Sequence, residues 1–145
     1  MKELDRYLKG KRSFSGSVLI TRKNEAIYAQ SFGYANREQS LKNTLATGYA
    51  VGGLTKPITA VAILQLVERG LLEIHQPLEF YFPGLYPEVV RIVHLLCHTS
   101  GIPTYLQDRK LMPWDQGVTP SEVAARLPGK LLFPPGSRWA YSCTN

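Results

Sequence analysis

The stretch from Tyr49 to Gly70 constrains this chain most. Its second part, Ile58-Thr59-Ala60-Val61-Ala62-Ile63-Leu64-Gln65-Leu66-Val67-Glu68-Arg69-Gly70, reads as a helix. It is rich in Ala and Leu, Pro57 falls in its first turn, and Gly70 can close it in a left-handed cap. Apolar residues lie on nearly every face, with Thr59, Gln65, Glu68 and Arg69 as the polar exceptions. A helix apolar almost all round belongs inside a protein. The run is too short and too interrupted by Gln and Glu for a membrane span. The expectation is a buried central helix with Lys56 at its N-terminal end. A helix N-terminus carries partial positive charge and favours anions, so a lysine there is electrostatically misplaced. Two readings stand side by side. In one, a desolvated Lys56 serves as a general base; in the other, it snorkels its ammonium to solvent.

A chain of 145 residues is one domain or part of one, long enough to bury a core. The formal charge of +6 is moderate, and the basic residues are spread out apart from a loose cluster at Lys9, Lys11 and Arg12. There is no basic stripe with interleaved aromatics, so no nucleic-acid partner is expected. Cys97 and Cys143 are far apart and do not make a disulfide framework. The N-terminus, Met1-Lys2-Glu3-Leu4-Asp5, has no apolar core of a signal peptide, which makes the cytoplasm the default expectation.

Residues 2–9 read as a short amphipathic helix with Leu4, Tyr7 and Leu8 on one side. Ser17–Thr21 is a strand, Arg22–Glu25 a turn and Ala26–Ala35 the return strand of a β-hairpin. Polar residues from Asn36 to Thr47 form a loop leading to the central helix. Arg91–His98 is the next helix. It places His94 and His98 four apart on one face, with Cys97 nearby. That spacing could ligate zinc, but no further ligand stands at a recognisable spacing. The reading preferred is two histidines that cap or pack, with no metal. Thr119–Leu127 is a short helix, with Thr119 as N-cap, Pro120 as first residue and Glu122 as capping-box partner. Phe133–Asn145 is a turn followed by an extended segment.

Several of these stretches together carry a resemblance. They are Phe14–Ile20, Phe32–Asn36, Thr55–Ala60, Leu64–Gly70, His94–Pro103 and Pro135–Ser142. In register, the chain resembles the N-terminal part of the serine β-lactamase and penicillin-binding-protein family. It is most similar to the branch of class C β-lactamases, D-Ala-D-Ala carboxypeptidases and esterases. The resemblance implies an α+β, β-lactamase/transpeptidase-like fold. Present here would be its N-terminal helix, a β-hairpin of its antiparallel sheet, the central helix and the start of its helical region. Residues 1–145 would be the N-terminal portion of one such domain, without its C-terminal strands.

The resemblance also implies acyl transfer. A serine in Ser-x-x-Lys attacks an ester or amide carbonyl, and the lysine helps take its proton. Residues three apart on a helix share a face, so hydroxyl and amine can meet. Lys56 matches the family's lysine, and Tyr141 matches the tyrosine of its Tyr-x-Asn motif. Two positions depart. Gly53 stands where the family has its nucleophilic serine, and Cys143 where it has asparagine. Glycine offers no oxygen, Thr55 is one residue from Lys56 and points elsewhere, and a thiol does not replace an amide that both donates and accepts. The expectation is a family member for β-lactam, peptide or ester carbonyls that is inactive as written. The partners implied are a small-molecule or peptide acyl substrate, with a complementing chain or further copies of itself. No cofactor is implied. The alternatives are a non-catalytic binder of cell-wall peptide and one piece of a split or altered hydrolase. Many members of the family are exported.

Overall fold

The computed structural model describes residues 2–11, 13–86, 89–107, 117–127 and 129–145, so Arg12 of the basic cluster lies outside it. The chain folds as two compact units, Met1–Ala50 and Val51–Asn145.

In the first unit, helix α1 (Lys2–Gly10) precedes strands β1 (Gly16–Arg22) and β2 (Glu25–Phe32). Lys23 and Asn24 both take positive φ, 49° and 65°. That is the backbone of the tight turn whose twist matches an antiparallel pair. The strands pair from Gly16 opposite Phe32 to Arg22 opposite Glu25, with an irregularity between Ile20 and Thr21. The single return strand expected to Ala35 stops at Phe32, because Gly33 turns to φ 68°. A side chain there is excluded: its Cβ would sit 2.7 Å from the Ser15 hydroxyl. The chain resumes as β3 (Tyr34–Asn36), which pairs with β4 (Leu41–Lys42) inside the region expected to be loop. Polar groups fix this corner. The buried Asn43 amide donates to the Ser15 hydroxyl at 2.9 Å and to the Phe32 carbonyl at 2.8 Å.

In the second unit, a single 3₁₀ turn (Gly52–Leu54) leads into α2 (Thr55–Glu68). Pro57 lies in the first turn, where its missing N–H has no helical partner to lose. The helix ends as expected at Gly70, φ 68°. The Gly70 amide donates to the Val67 carbonyl and the Leu71 amide to that of Leu66, both at 2.9 Å. These are the two bonds of a Schellman cap.

The expected burial of α2 is not met. No residue of α2 is buried, and Leu54, Ile58 and Val61 are 71, 69 and 56% exposed. All-round apolarity states what cover a helix needs, and among the described residues only one side receives it. Ile63 packs on the unit's core of Leu78, Tyr86, Val90, Ile92 and Ile102.

Helix α3 is shorter than expected, Ile92–Leu96, because His98 takes φ 55° and ends it. His94 and His98 therefore do not share a helical face. Helix α4 (Pro120–Arg126) keeps the expected capping box. The Thr119 hydroxyl accepts from the Glu122 amide at 3.3 Å, and the Glu122 carboxylate accepts from the Thr119 amide at 2.8 Å. After the turn at Pro134–Ser137 the chain runs to Asn145 without forming a ladder.

Candidate functional site

The first turn of α2 and the segment 140–145 meet within the second unit. Three requirements of the sequence bring them together. The first is Gly101. It takes φ 76°, and a Cβ there would run into the Phe133 carbonyl, so only glycine lets the strand-like chain cross at this point. The Leu132 amide bonds the Gly101 carbonyl at 2.8 Å across that crossing.

The second is His98. Its carbonyl accepts from the Ala140 amide at 2.9 Å, and its Nδ1 accepts from the Ser142 amide at 3.3 Å. With Nδ1 an acceptor, the Asn145 side chain must present its NH2 to it at 3.0 Å. The Asn145 Oδ1 is then free to accept from the Ser100 hydroxyl at 2.7 Å. Burial, and then the positive charge of Lys56, hold the His98 imidazole below its ordinary pKa. The neutral ring is the form these acceptor contacts need.

The third is the threonine pair. The Thr104 hydroxyl accepts from the Cys143 amide at 3.3 Å, while that of Thr144 accepts from the Tyr105 amide at 3.0 Å and donates to the Pro103 carbonyl at 2.7 Å. Residues 98–105 thus form a cradle that holds 140–145 by side chain and backbone together.

All four residues singled out from the sequence come together here. Lys56, in the first turn of α2, is half-buried. Its ammonium donates to the main-chain oxygens of Asn145 at 2.6 Å and Cys143 at 3.3 Å and stands 5.8 Å from the Tyr141 ring centre. The ammonium is thus held by main-chain oxygens of the segment 143–145. Tyr141 stacks obliquely on His98, ring centres 4.7 Å apart. Its hydroxyl lies 4.0 Å from the Cys143 thiol sulfur. That thiol's hydrogen bond, then burial, raises the phenol above its ordinary pKa, so Tyr141 stands protonated in this arrangement. A Cβ built on Gly53 would sit 2.6 Å from the Tyr141 hydroxyl. Position 53 and the lysine thus both lie beside Tyr141, and position 53 supplies no side-chain atom.

His98, Ser100 and Asn145 join the site only through the fold. In the sequence His98 stands only as half of a histidine pair, and Asn145 carries no motif signal. His94 does cap: its Nδ1 accepts from the Arg91 amide at 3.1 Å. Beside the site lies a cavity of about 310 Å³, with Tyr105, Val118, Val123, Leu127 and Cys143 in its walls.

The Beta-lactamase family model matches residues 2–145. Penicillin-binding protein 4* of Bacillus subtilis is 34% identical over 143 residues, covering 93% of this chain and 31% of that protein. Esterase EstB of Burkholderia gladioli is 31% identical over 156 residues, covering 95% of this chain and 40% of that one. A solved penicillin-binding protein from Bacillus halodurans superposes with a TM-score of 0.83 at 29% identity, over 96% of this chain and 44% of its own. The chain thus spans about a third of the length of the curated relatives it matches. A family model matched along almost the whole chain, and an α+β fold shared with penicillin-binding proteins, lead to one statement: the chain belongs to the β-lactamase family.

Proposed function

We propose that this chain carries an acyl-transfer site of the β-lactamase family without its nucleophile, and that it does not turn over β-lactams, peptides or esters. One observation carries the reading: the place where a side chain of residue 53 would begin lies 2.6 Å from the Tyr141 hydroxyl and is empty of side chain. Lys56 and Tyr141 hold the positions of the family's base system, where proton transfer would assist an attacking hydroxyl. Gly53 offers no hydroxyl to attack with. Cys143, at the position of the family's asparagine, brings a thiol where a substrate amide would meet a side-chain amide.

A second reading is a non-catalytic binder of cell-wall peptide or another acyl compound, favoured by the largely apolar cavity beside Cys143. The test is turnover. The protein is incubated with a nitrophenyl ester and with a chromogenic β-lactam. The expected result is no catalysis above a Gly53-retaining Lys56→Ala control. Catalysis lost in that control would contradict the proposal. Saturable binding of an acylated D-alanyl-D-alanine peptide, without turnover, would select the second reading.

A further inference from the structure

The charge of the chain is uneven. Residues 1–50 hold nine lysines and arginines against four acidic residues, so +5 of the overall +6 belongs to them. Such asymmetry points to an anionic partner for that part of a chain. The first unit contains a cavity of about 360 Å³, and three lysines reach its walls from separate elements: Lys9 of α1, Lys11 just beyond it, and Lys42 of β4. No acidic residue lines it among the described residues. Lys9 is already neutralised by Asp5 at 2.6 Å. Lys11 and Lys42 have no carboxylate partner among the described residues, and Lys11 has only the face of Tyr7, 4.7 Å from its ring centre. Like charges gathered on one cavity repel, and an anion between them relieves the repulsion.

Beside the lysines, the lining combines Leu8 and aromatic rings with Ser31 and Asn43. Phe14 and Tyr34 form part of the walls, and the Phe14 and Phe32 rings lie 5.7 Å apart. The buried Asn43 completes the wall, with its Oδ1 lacking a hydrogen-bond donor among the described residues. We propose that this cavity binds a small organic oxyanion, a phosphate or carboxylate carried on a ring or hydrocarbon body. The anion is held by Lys11 and Lys42, and the body lies against the aromatic rings. Lysine ammoniums act as point charges and do not by themselves select between the two oxyanions. Every residue lining the cavity belongs to the first unit.

The test is equilibrium dialysis of the full chain against phenyl phosphate and benzoate, with inorganic phosphate and benzyl alcohol as partial ligands. The readout does not depend on the protein's state of association. Saturable binding of phenyl phosphate or benzoate is expected, and the tighter of the two identifies the oxyanion. It should weaken at least about tenfold in the Lys11→Gln/Lys42→Gln variant and be kept in Lys42→Arg, with far-UV circular dichroism unchanged in both. Absence of saturable binding by either probe overturns the proposal. So does binding that survives the double substitution. Inorganic phosphate or benzyl alcohol binding as tightly as the complete probe would overturn it too, since charge or ring alone would then suffice.

Discussion

At the scale of single residues, Gly53 decides the chemistry. Replacing it with serine restores an oxygen but does not restore the site, because the new Cβ displaces the Tyr141 hydroxyl 2.6 Å away and Lys56 remains bonded to the main-chain oxygens of Cys143 and Asn145. General-base assistance is typically a factor of about 10²–10⁴. The Gly53→Ser protein is therefore expected to hydrolyse a nitrophenyl ester at least about a hundredfold below the usual enzyme turnover near 10 s⁻¹, as measured by product absorbance. Turnover at ordinary rates would show that Lys56 and Tyr141 rearrange freely. Gly101 tests the frame in the same way. Gly101→Ala combines a positive φ with a clash on the Phe133 carbonyl and should cost about 2 kcal/mol or more in urea unfolding. The candidate site was legible in the sequence as far as residue types at motif positions go, namely Lys56, Tyr141, Gly53 and Cys143. Its supporting atoms were not. The oxygens that hold Lys56 belong to the main chain of residues 143 and 145, and main-chain oxygens have no letter in a sequence.

Elements show which local rules survive tertiary contacts. The hairpin turn at Lys23-Asn24, the Schellman end of α2 and the capping box of α4 follow from residues within a few positions of one another, and all three form. Thr119→Ala removes one half of that box and should cost about 1 kcal/mol, seen as a shift in the unfolding midpoint. The β3–β4 pair is not legible locally, because the break at Gly33, φ 68°, passes too close to Ser15 for any side chain, a contact between distant residues. The shortening of α3 has a similar origin: His98 bends out of the helix and is engaged by residues 140–145. That engagement gives a pH prediction. Burial, chiefly, lowers the pKa of both His94 and His98 from 6.5 in the fold, so the unfolded chain binds more protons. Stability is therefore complete above about pH 6.5 and falls as pH drops through the lowered folded values. Thermal melts between pH 8 and pH 5 should show this loss. His98→Asn keeps an acceptor near Nδ1 and cannot titrate, so its pH slope should be shallower. An unchanged slope would remove His98 from the account.

For the molecule as a whole, the surface of α2 is decisive. Ile58 and Val61 stand 69 and 56% exposed on a helix apolar all round. Burying one large aliphatic side chain is worth roughly 1.5–3 kcal/mol, against about 5–15 kcal/mol for a whole domain. The isolated chain is expected to self-associate through this helix, and light scattering after size exclusion would register it. An Ile58→Glu/Val61→Lys variant should be smaller in mass with little change in melting temperature, since neither residue is buried. A wild-type chain that is monomeric, cooperative and free of dye-accessible apolar surface would contradict this. The β-lactamase family fold was legible from dispersed stretches taken in register. The exposure of α2 was not, because periodicity reports what cover a helix needs and not what the surrounding chain provides.

The central claim is that the site lacks a nucleophile, and covalent capture tests it most directly. The wild-type protein and its Gly53→Ser variant are incubated with a fluorescent penicillin, denatured, and analysed by gel fluorescence and peptide mass spectrometry. The account predicts no adduct on the wild-type chain at any residue other than cysteine, because acylation needs an oxygen that Gly53 does not carry. A stoichiometric wild-type adduct on Thr55, Tyr141, Lys56 or any other non-cysteine residue would contradict it.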